Sequence, residues 1–207
     1  MTKATSRPDR TASDAAIRGR PPAPPRELVE RFQRREPEAL EAFFDLYFER
    51  VYGAIYRMVG DRQATEDLTQ EVFLKVYRAA HRIDPARDPA AWIIAIAANT
   101  CRDLWRSAAQ RMARNSGPLD DEASRRLPNP APGPESELIA RERERLVRDA
   151  IADLPAPLRM AVVLHVYEGL GHDQVAALTG IRGTAARKRY SRALRAVADR
   201  LRGAVEP

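Results

Sequence analysis

Between Arg182 and Arg195 the chain places six basic residues and no acid. Wound as a helix, this segment repeats Ala186, Tyr190, Ala193, Leu194 and Val197 at three- and four-residue spacing, which predicts an inner face. Arg187, Lys188, Ser191, Arg192 and Arg195 are then left pointing outward. A row of guanidinium and ammonium groups neutralises phosphates and reads guanine edges. A solvated cationic helix end has a similar look, because Lys and Arg favour helix C-termini. In this segment, however, the charge begins in the N-terminal half, where the helix dipole opposes it. The preceding "HDQVAALTGIRG" supplies a shorter helix, with Val175, Ala176 and Leu178 inward, and a glycine-containing turn. Short helix, turn and basic helix make a helix-turn-helix, whose second helix enters the DNA major groove.

Two further stretches carry chemistry. In "EDLTQEVFLKVYRA", residues 66–79, Leu68, Thr69, Val72, Phe73, Val76 and Tyr77 gather on one half of a helix. Asp67, Gln70, Glu71, Lys75 and Arg78 gather on the other, with Leu74 in their midst. One apolar side chain inside a polar, partly acidic rim has the make-up of a small protein interface, although single exposed leucines are also ordinary. In "WIIAIAANTCRDLWR", Trp92, Ile93, Ile96, Ala97 and Leu104 serve packing, and Asn99, Arg102, Asp103 and Arg106 lie along a polar side. An amide such as Asn99 donates and accepts, which suits a base edge. Asp103 has the structural alternative of bonding Arg106 three residues on. The loop before this helix, "HRIDPARDPAA", offers His81, Arg82 and Arg87 to phosphates.

The elements that must position these residues are helical throughout, with no alternating strand pattern. Residues 1–25, which hold Lys3, Arg7, Arg10, Arg18 and Arg20 and end in "RPPAPP", form a weakly basic arm expected to be disordered. A helical unit spans 26–106 and a second spans 137–203, followed by a short tail at 204–207. Between them residues 107–136 contain five prolines and almost no large apolar side chain. A stretch of about 30 residues is too long for a connection inside one compact domain, and at ~3.3 Å each it reaches about 100 Å fully extended. The fold class expected is all-α, two small helical domains on a flexible tether. The tether's Asp120, Asp121 and Glu122 have the charge to mimic nucleic acid, or it is a plain spacer.

Composition sets the outer bounds. With 207 residues, 44% hydrophobic and 31% charged, the chain can bury real cores, and its charge of +6 suits a polyanion. No run approaches the roughly 18 apolar residues of a membrane span, and no signal peptide is visible, so a cytoplasmic protein without membrane insertion is expected. The single cysteine, Cys101, excludes an internal disulfide and offers no metal cluster. Neighbouring Arg102 could lower its pKa, but an inert half-buried thiol is the expectation. His165 and His172 fall on different predicted helices and are read as satisfied or solvent-facing. No phosphate-binding glycine loop, nucleophile–base pairing or metal constellation is visible, so no catalysis, cofactor or metal is expected.

The segment "LPAPLRMAVVLHVYEGLGHDQVAALTGIRGTAARKRYSRA" resembles region 4 of the sigma-70 family in its short extracytoplasmic-function form. "ATEDLTQEVFLKVYRA" followed by "AAWIIAIAANTCRDLWR" resembles region 2 of the same group. The resemblance implies a dissociable subunit that brings bacterial core RNA polymerase to promoters, with an anti-sigma protein as controller. It implies that Asp67, Gln70, Glu71 and Leu74 dock on the β′ clamp helices and that region 4 meets the β flap. His81, Arg82, Arg87, Asn99, Arg102, Asp103 and Arg106 would melt and hold the −10 element, with Asn99 lining the pocket for an unstacked base. Thr184, Arg187, Lys188, Ser191, Arg192 and Arg195 would hold the −35 duplex. Ala98 replaces the arginine usual just before the Asn99 position. The serines that usually cap the two helices of the helix-turn-helix are Gly171 and Arg182, so Thr184 is the expected cap of the second, starting it about two residues late. A stand-alone helix-turn-helix regulator is the main alternative, supported by that motif alone. A pure polymerase blocker would not need Arg187, Lys188 and Arg192.

Overall fold

The computed structural model describes residues 23–114 and 135–205. The expectations for the arm through residue 22, and for Asp120, Asp121 and Glu122, lie outside the described residues. Everything described is helix, turn or short connection.

Helices α1 (Arg26–Gln33), α2 (Pro37–Val59), α3 (Arg62–Arg78) and α4 (Ala90–Arg114) build the first unit. Phe43, Tyr47, Val51, Ala54, Ile55 and Met58 recur along α2 at helical spacing and are buried. Phe43 stacks on Phe32 of α1, with ring centroids 4.0 Å apart. Gly60 ends α2 in the left-handed region at φ 79°, where a side chain would be strained. Asp61 then starts α3 by accepting from Ala64 N at 2.7 Å, an N-cap worth about 1 kcal/mol. The two buried threonines of α3 satisfy their hydroxyls on carbonyls one turn back, Thr65 on Asp61 O and Thr69 on Thr65 O. A short 3₁₀ turn, Ala80–Arg82, leads into the loop before α4. There Asp88 Oδ1 accepts from Ala90 N (2.9 Å) and from the Tyr47 hydroxyl (3.2 Å), fastening the start of α4 to α2. Helix α4 continues to Arg114, past the expected boundary at 106.

The second unit comprises α5 (Glu135–Ala152), α6 (Ala156–Val162), a π-helical turn (Val163–Tyr167), α7 (His172–Thr179) and α8 (Gly183–Val205). Gly180 ends α7 at φ 66°, and the turn to α8 is short. Helix α8 starts at Gly183 and not beyond Thr184, with Arg182 O accepting from both Ala185 N and Ala186 N. Thr184 therefore lies inside the first turn and is not the cap, which corrects the sequence expectation. Ala186 and Ala193 are buried as expected, but Leu194 is 45% exposed. The inward stripe of α8 is narrow, and Leu194 lies on its uncovered flank.

The two units are packed against each other. Met160, Val163, Leu164, Leu170, Val175, Ala176 and Ala186 of the second belong to the same buried cluster as Ile55, Met58 and Ile93 of the first. Arg50 Nε of α2 meets Glu168 Oε2 at 2.9 Å, with side chains only 14% and 4% exposed. Arg102 of α4 donates to Leu178 O at the end of α7 (3.2 Å), and Arg159 of α6 donates to Met58 O at the end of α2 (3.1 Å). Each unit thus caps a helix C-terminus of the other, satisfying carbonyls that lack a partner within their own helix. Such cations contribute about 0.3–1 kcal/mol each. Arg57 of α2 lies over the Tyr167 ring, 4.6 Å from its centroid.

Phe43→Ala removes a fully buried ring from the centre of the first unit. We expect urea unfolding to show a loss of about 3–5 kcal/mol, as for aromatic cavities generally.

Candidate nucleic-acid and partner interface

Helix α3 presents the first candidate surface. Its inner residues Leu68, Thr69, Val72 and Val76 are buried, which turns Asp67, Gln70, Glu71 and Leu74 to the outside. Leu74 is 54% exposed. Lys75 fixes the edge of this face: its ammonium meets Glu71 Oε1 at 2.7 Å and donates to Thr100 Oγ1 of α4 at 3.0 Å. Asp67 accepts from Gln63 at 3.4 Å. A ladder of rings not singled out in the sequence continues the apolar surface. Phe44, Phe48, Tyr52 and Tyr56 follow one another along α2 at centroid separations of 5.1, 5.8 and 6.4 Å, and Phe44 meets Phe73 of α3 at 4.5 Å. The four-residue spacing of these aromatics in "AFFDLYFERVYGAIY" was the available signal.

The α4 surface is partly engaged. Arg102 Nη2 donates to Asn99 Oδ1 at 2.7 Å while its other terminal nitrogen holds Leu178 O. Asn99 and Arg102 are thereby brought together, half-buried beneath α7. Asp103 and Arg106 are exposed, with no ion pair between them among the described residues, so the structural alternative for Asp103 finds no support. His81, Arg82 and Arg87 are exposed on the preceding loop, where Arg87 pairs with Asp84 at 3.3 Å. No hydrogen bond or ion pair joins these three to Asn99 or Arg102 among the described residues. Ala98 is buried in the shared cluster. Cys101 is fully buried, and burial pushes its thiol up to about 12, which makes it an inert packing residue.

On α8, Thr184, Arg187, Lys188, Ser191, Arg192 and Arg195 are all exposed. Asp173 of α7 lies over the start of α8: its carboxylate pairs with Arg187 at 3.6 Å and would stand 2.6 Å from a Cβ at Gly183. This acid offsets the mismatch between the basic N-terminal half and the helix dipole. Within the second unit, three rings join the π-helical turn, α7 and α8. His165 stacks on His172 at 4.3 Å and meets Tyr190 of α8 edge-on at 4.5 Å, and His165 Nδ1 donates to Leu170 O at 2.7 Å. The two histidines, distant in sequence reasoning, are therefore one cluster seating the basic helix. Burial first, then His165 and Arg187, lower the pKa of His172. No group of three or more His, Cys, Asp or Glu able to hold a metal occurs among the described residues, and no described helix is long and apolar enough to cross a membrane.

Because the folded state lowers the His172 pKa, the unfolded chain takes up the proton more readily. Stability from this site is full above the ordinary value of 6.5 and is lost as pH falls below it. We expect the wild-type melting temperature to drop between pH 7.5 and 5.5 by more than that of a His172→Phe variant, which keeps a ring without the titration. Equal drops would show that the stack is indifferent to protonation.

Comparison with known proteins identifies both halves. The sigma-70 region 2 family model matches residues 43–112 and the sigma-70 region 4 model matches 144–197. The RNA polymerase sigma factor CarQ of Myxococcus xanthus is 35% identical over 164 residues, covering 79% of this chain and 90% of CarQ. The ECF RNA polymerase sigma factor SigK of Mycobacterium sp. (strain KMS) is 31% identical over 187 residues, covering 86% of this chain and 85% of SigK. The sigma factor RpoE from Bartonella quintana, solved with the anti-sigma factor NepR, shares the fold with a TM-score of 0.61 at 18% identity, over 81% of this chain and 98% of that one.

Proposed function

The chain belongs to the sigma-70 family as an extracytoplasmic-function sigma factor, a subunit that directs bacterial RNA polymerase to promoters, and on that premise we propose how its surfaces divide the work. The α3 face of Asp67, Gln70, Glu71 and Leu74 binds the β′ clamp helices. The loop residues His81, Arg82 and Arg87, with Asn99, Arg102, Asp103 and Arg106 of α4, hold and open the −10 element. Thr184, Arg187, Lys188, Ser191, Arg192 and Arg195 of α8 hold the −35 duplex, and the unit that carries them meets the β flap. Thr184 has the weakest claim on a base edge, since it sits in the first turn of α8. The protein works in the cytoplasm, catalyses no reaction of its own, and is controlled by an anti-sigma protein of the kind that NepR is for RpoE.

The observation that carries this reading is Leu74, 54% exposed within a rim of two carboxylates and an amide. A docking face gains from one desolvated apolar anchor in such a rim, and the match of residues 43–112 to sigma-70 region 2 sets this face apart from an ordinary exposed leucine. Unstacking a base costs a few kcal/mol, which contacts from Asn99 and Arg102 must offset.

Runoff transcription with purified core polymerase on fragmented genomic DNA is the test. New transcripts sharing −35 and −10 patterns are expected with the wild type and lost with Leu74→Arg, whose duplex binding persists. Duplex binding without any transcripts would instead leave a stand-alone regulator. On a promoter found this way, Arg187→Ala, Lys188→Ala and Arg192→Ala should each weaken duplex binding. Where the lost contact was to phosphate, the slope of log affinity against log salt should shrink by about one.

A further inference from the structure

The end of α1 reaches the loop that carries His81 and Arg82. Gln33, the last residue of α1, donates from Nε2 to Ile83 O at 2.8 Å and to Ala80 O at 3.2 Å. These two carbonyls stand on either side of His81 and Arg82. Ala80 and Ile83 are buried, while the two side chains between them are exposed. One half-buried amide, 47 and 50 residues away along the chain, thus brackets the pair. We propose that Gln33 is a positioning residue for −10 recognition, which sets the 3₁₀ turn Ala80–Arg82 so that His81 and Arg82 project in one fixed arrangement. The proposal rests on the assignment of those two residues to −10 DNA.

Three observations separate Gln33 from an ordinary helix-end amide. Its nitrogen has two hydrogens, and two carbonyls take one each, so its donor capacity is used in full. Ala80 O also accepts from Ile83 N at 3.1 Å, which closes the turn from within as Gln33 closes it from outside. The end of α1 is, secondly, built at a cost. Arg35 N donates to Phe32 O (3.0 Å) and Glu36 N to Arg31 O (3.2 Å), a helix stop whose left-handed residue is commonly glycine. Here that residue is Arg35, at φ 61°, and its guanidinium lies over the Tyr77 ring, 4.8 Å from the centroid. Tyr77 belongs to the last turn of α3, just before the loop. Strained residues persist where their surroundings over-determine them, and this one keeps Gln33 and Arg35 against the same short segment. Thirdly, the later part of the loop is fastened locally, by Asp84 to Ala86 N (3.0 Å) and Asp88 to Ala90 N (2.9 Å). The turn bearing His81 and Arg82 is fastened from α1. A loop ordered beforehand gives up less freedom on binding, so more of its contact energy is realised.

The test uses the full chain with core polymerase on a promoter found by runoff transcription. Gln33→Met keeps the reach of the side chain and removes both donors, and Gln33→Lys restores a donor. Permanganate reactivity of unpaired thymines reads the rate of promoter opening. Hydrogen exchange of the free protein reads the Arg82 and Ile83 amides, which bond Ala79 O and Ala80 O. Gln33→Met should open the promoter about five- to tenfold more slowly, and those two amides should exchange about tenfold faster. Duplex binding at −35, affinity for core polymerase and exchange within α2 should stay within about twofold of wild type, as a general loss of fold would not allow. Gln33→Lys should recover opening to within about twofold. Opening by Gln33→Met at the wild-type rate would overturn the proposal. So would slow opening without faster exchange at the turn, an equal loss of −35 binding, or a Gln33→Lys as slow as Gln33→Met. Wild-type holoenzyme that opens no promoter would remove the proposed function and this inference with it. Normal wild-type opening beside an unaffected Gln33→Met would remove the inference alone.

Discussion

Arg50 sits in the middle of α2, beside the buried Val51 and one turn before the buried Ala54, and its side chain reaches the second unit. A guanidinium that enters an apolar seam must find an anion, and Glu168, just beyond the π-helical turn, is that anion at 2.9 Å. Burying either alone would cost several kcal/mol, so the pair fixes where the second unit can rest. The remaining contacts follow from that placement. With Glu168 over α2, Arg159 reaches the end of α2 and the end of α7 reaches Arg102. Buried pairs of this kind contribute little net stability and much positional definition, because few other arrangements leave both charges matched.

The same placement sorts the three functional surfaces. The α3 face and the basic face of α8 stay open to solvent, since neither takes part in the seam. The α4 face does take part, through Arg102, which bonds both Asn99 and the Leu178 carbonyl.

What could be read in the sequence was whatever local periodicity controls. The outward row of Arg187, Lys188, Ser191, Arg192 and Arg195, and the exposure of Leu74 opposite Leu68 and Val72, follow from 3.6-residue spacing alone. Errors arose where a third element decides. Thr184 looked like a cap because Arg182 cannot serve as one, yet the chain enters α8 at Gly183, where the absence of a Cβ lets Asp173 close over the first turn. Leu194 has the right spacing for the core but falls beyond the edge of what covers α8. The aromatic ladder of α2 has a periodic signature, but its residues interleave with Phe43, Tyr47, Val51 and Ile55, which build the core. Docking of the units was not legible at all, since Arg50 and Glu168 are 118 residues apart and nothing near either one announces the other.

One buried ion pair, Arg50–Glu168, seats the second unit on the first. Electron–electron resonance between spin labels on Glu41→Cys of α2 and Ala198→Cys of α8, both exposed positions, measures this directly, and buried Cys101 will not take the label. A single short distance distribution for the wild type, replaced by a broader and longer one in Glu168→Ala, is the result expected. The same distribution in both proteins, or a broad long one in the wild type, would contradict it.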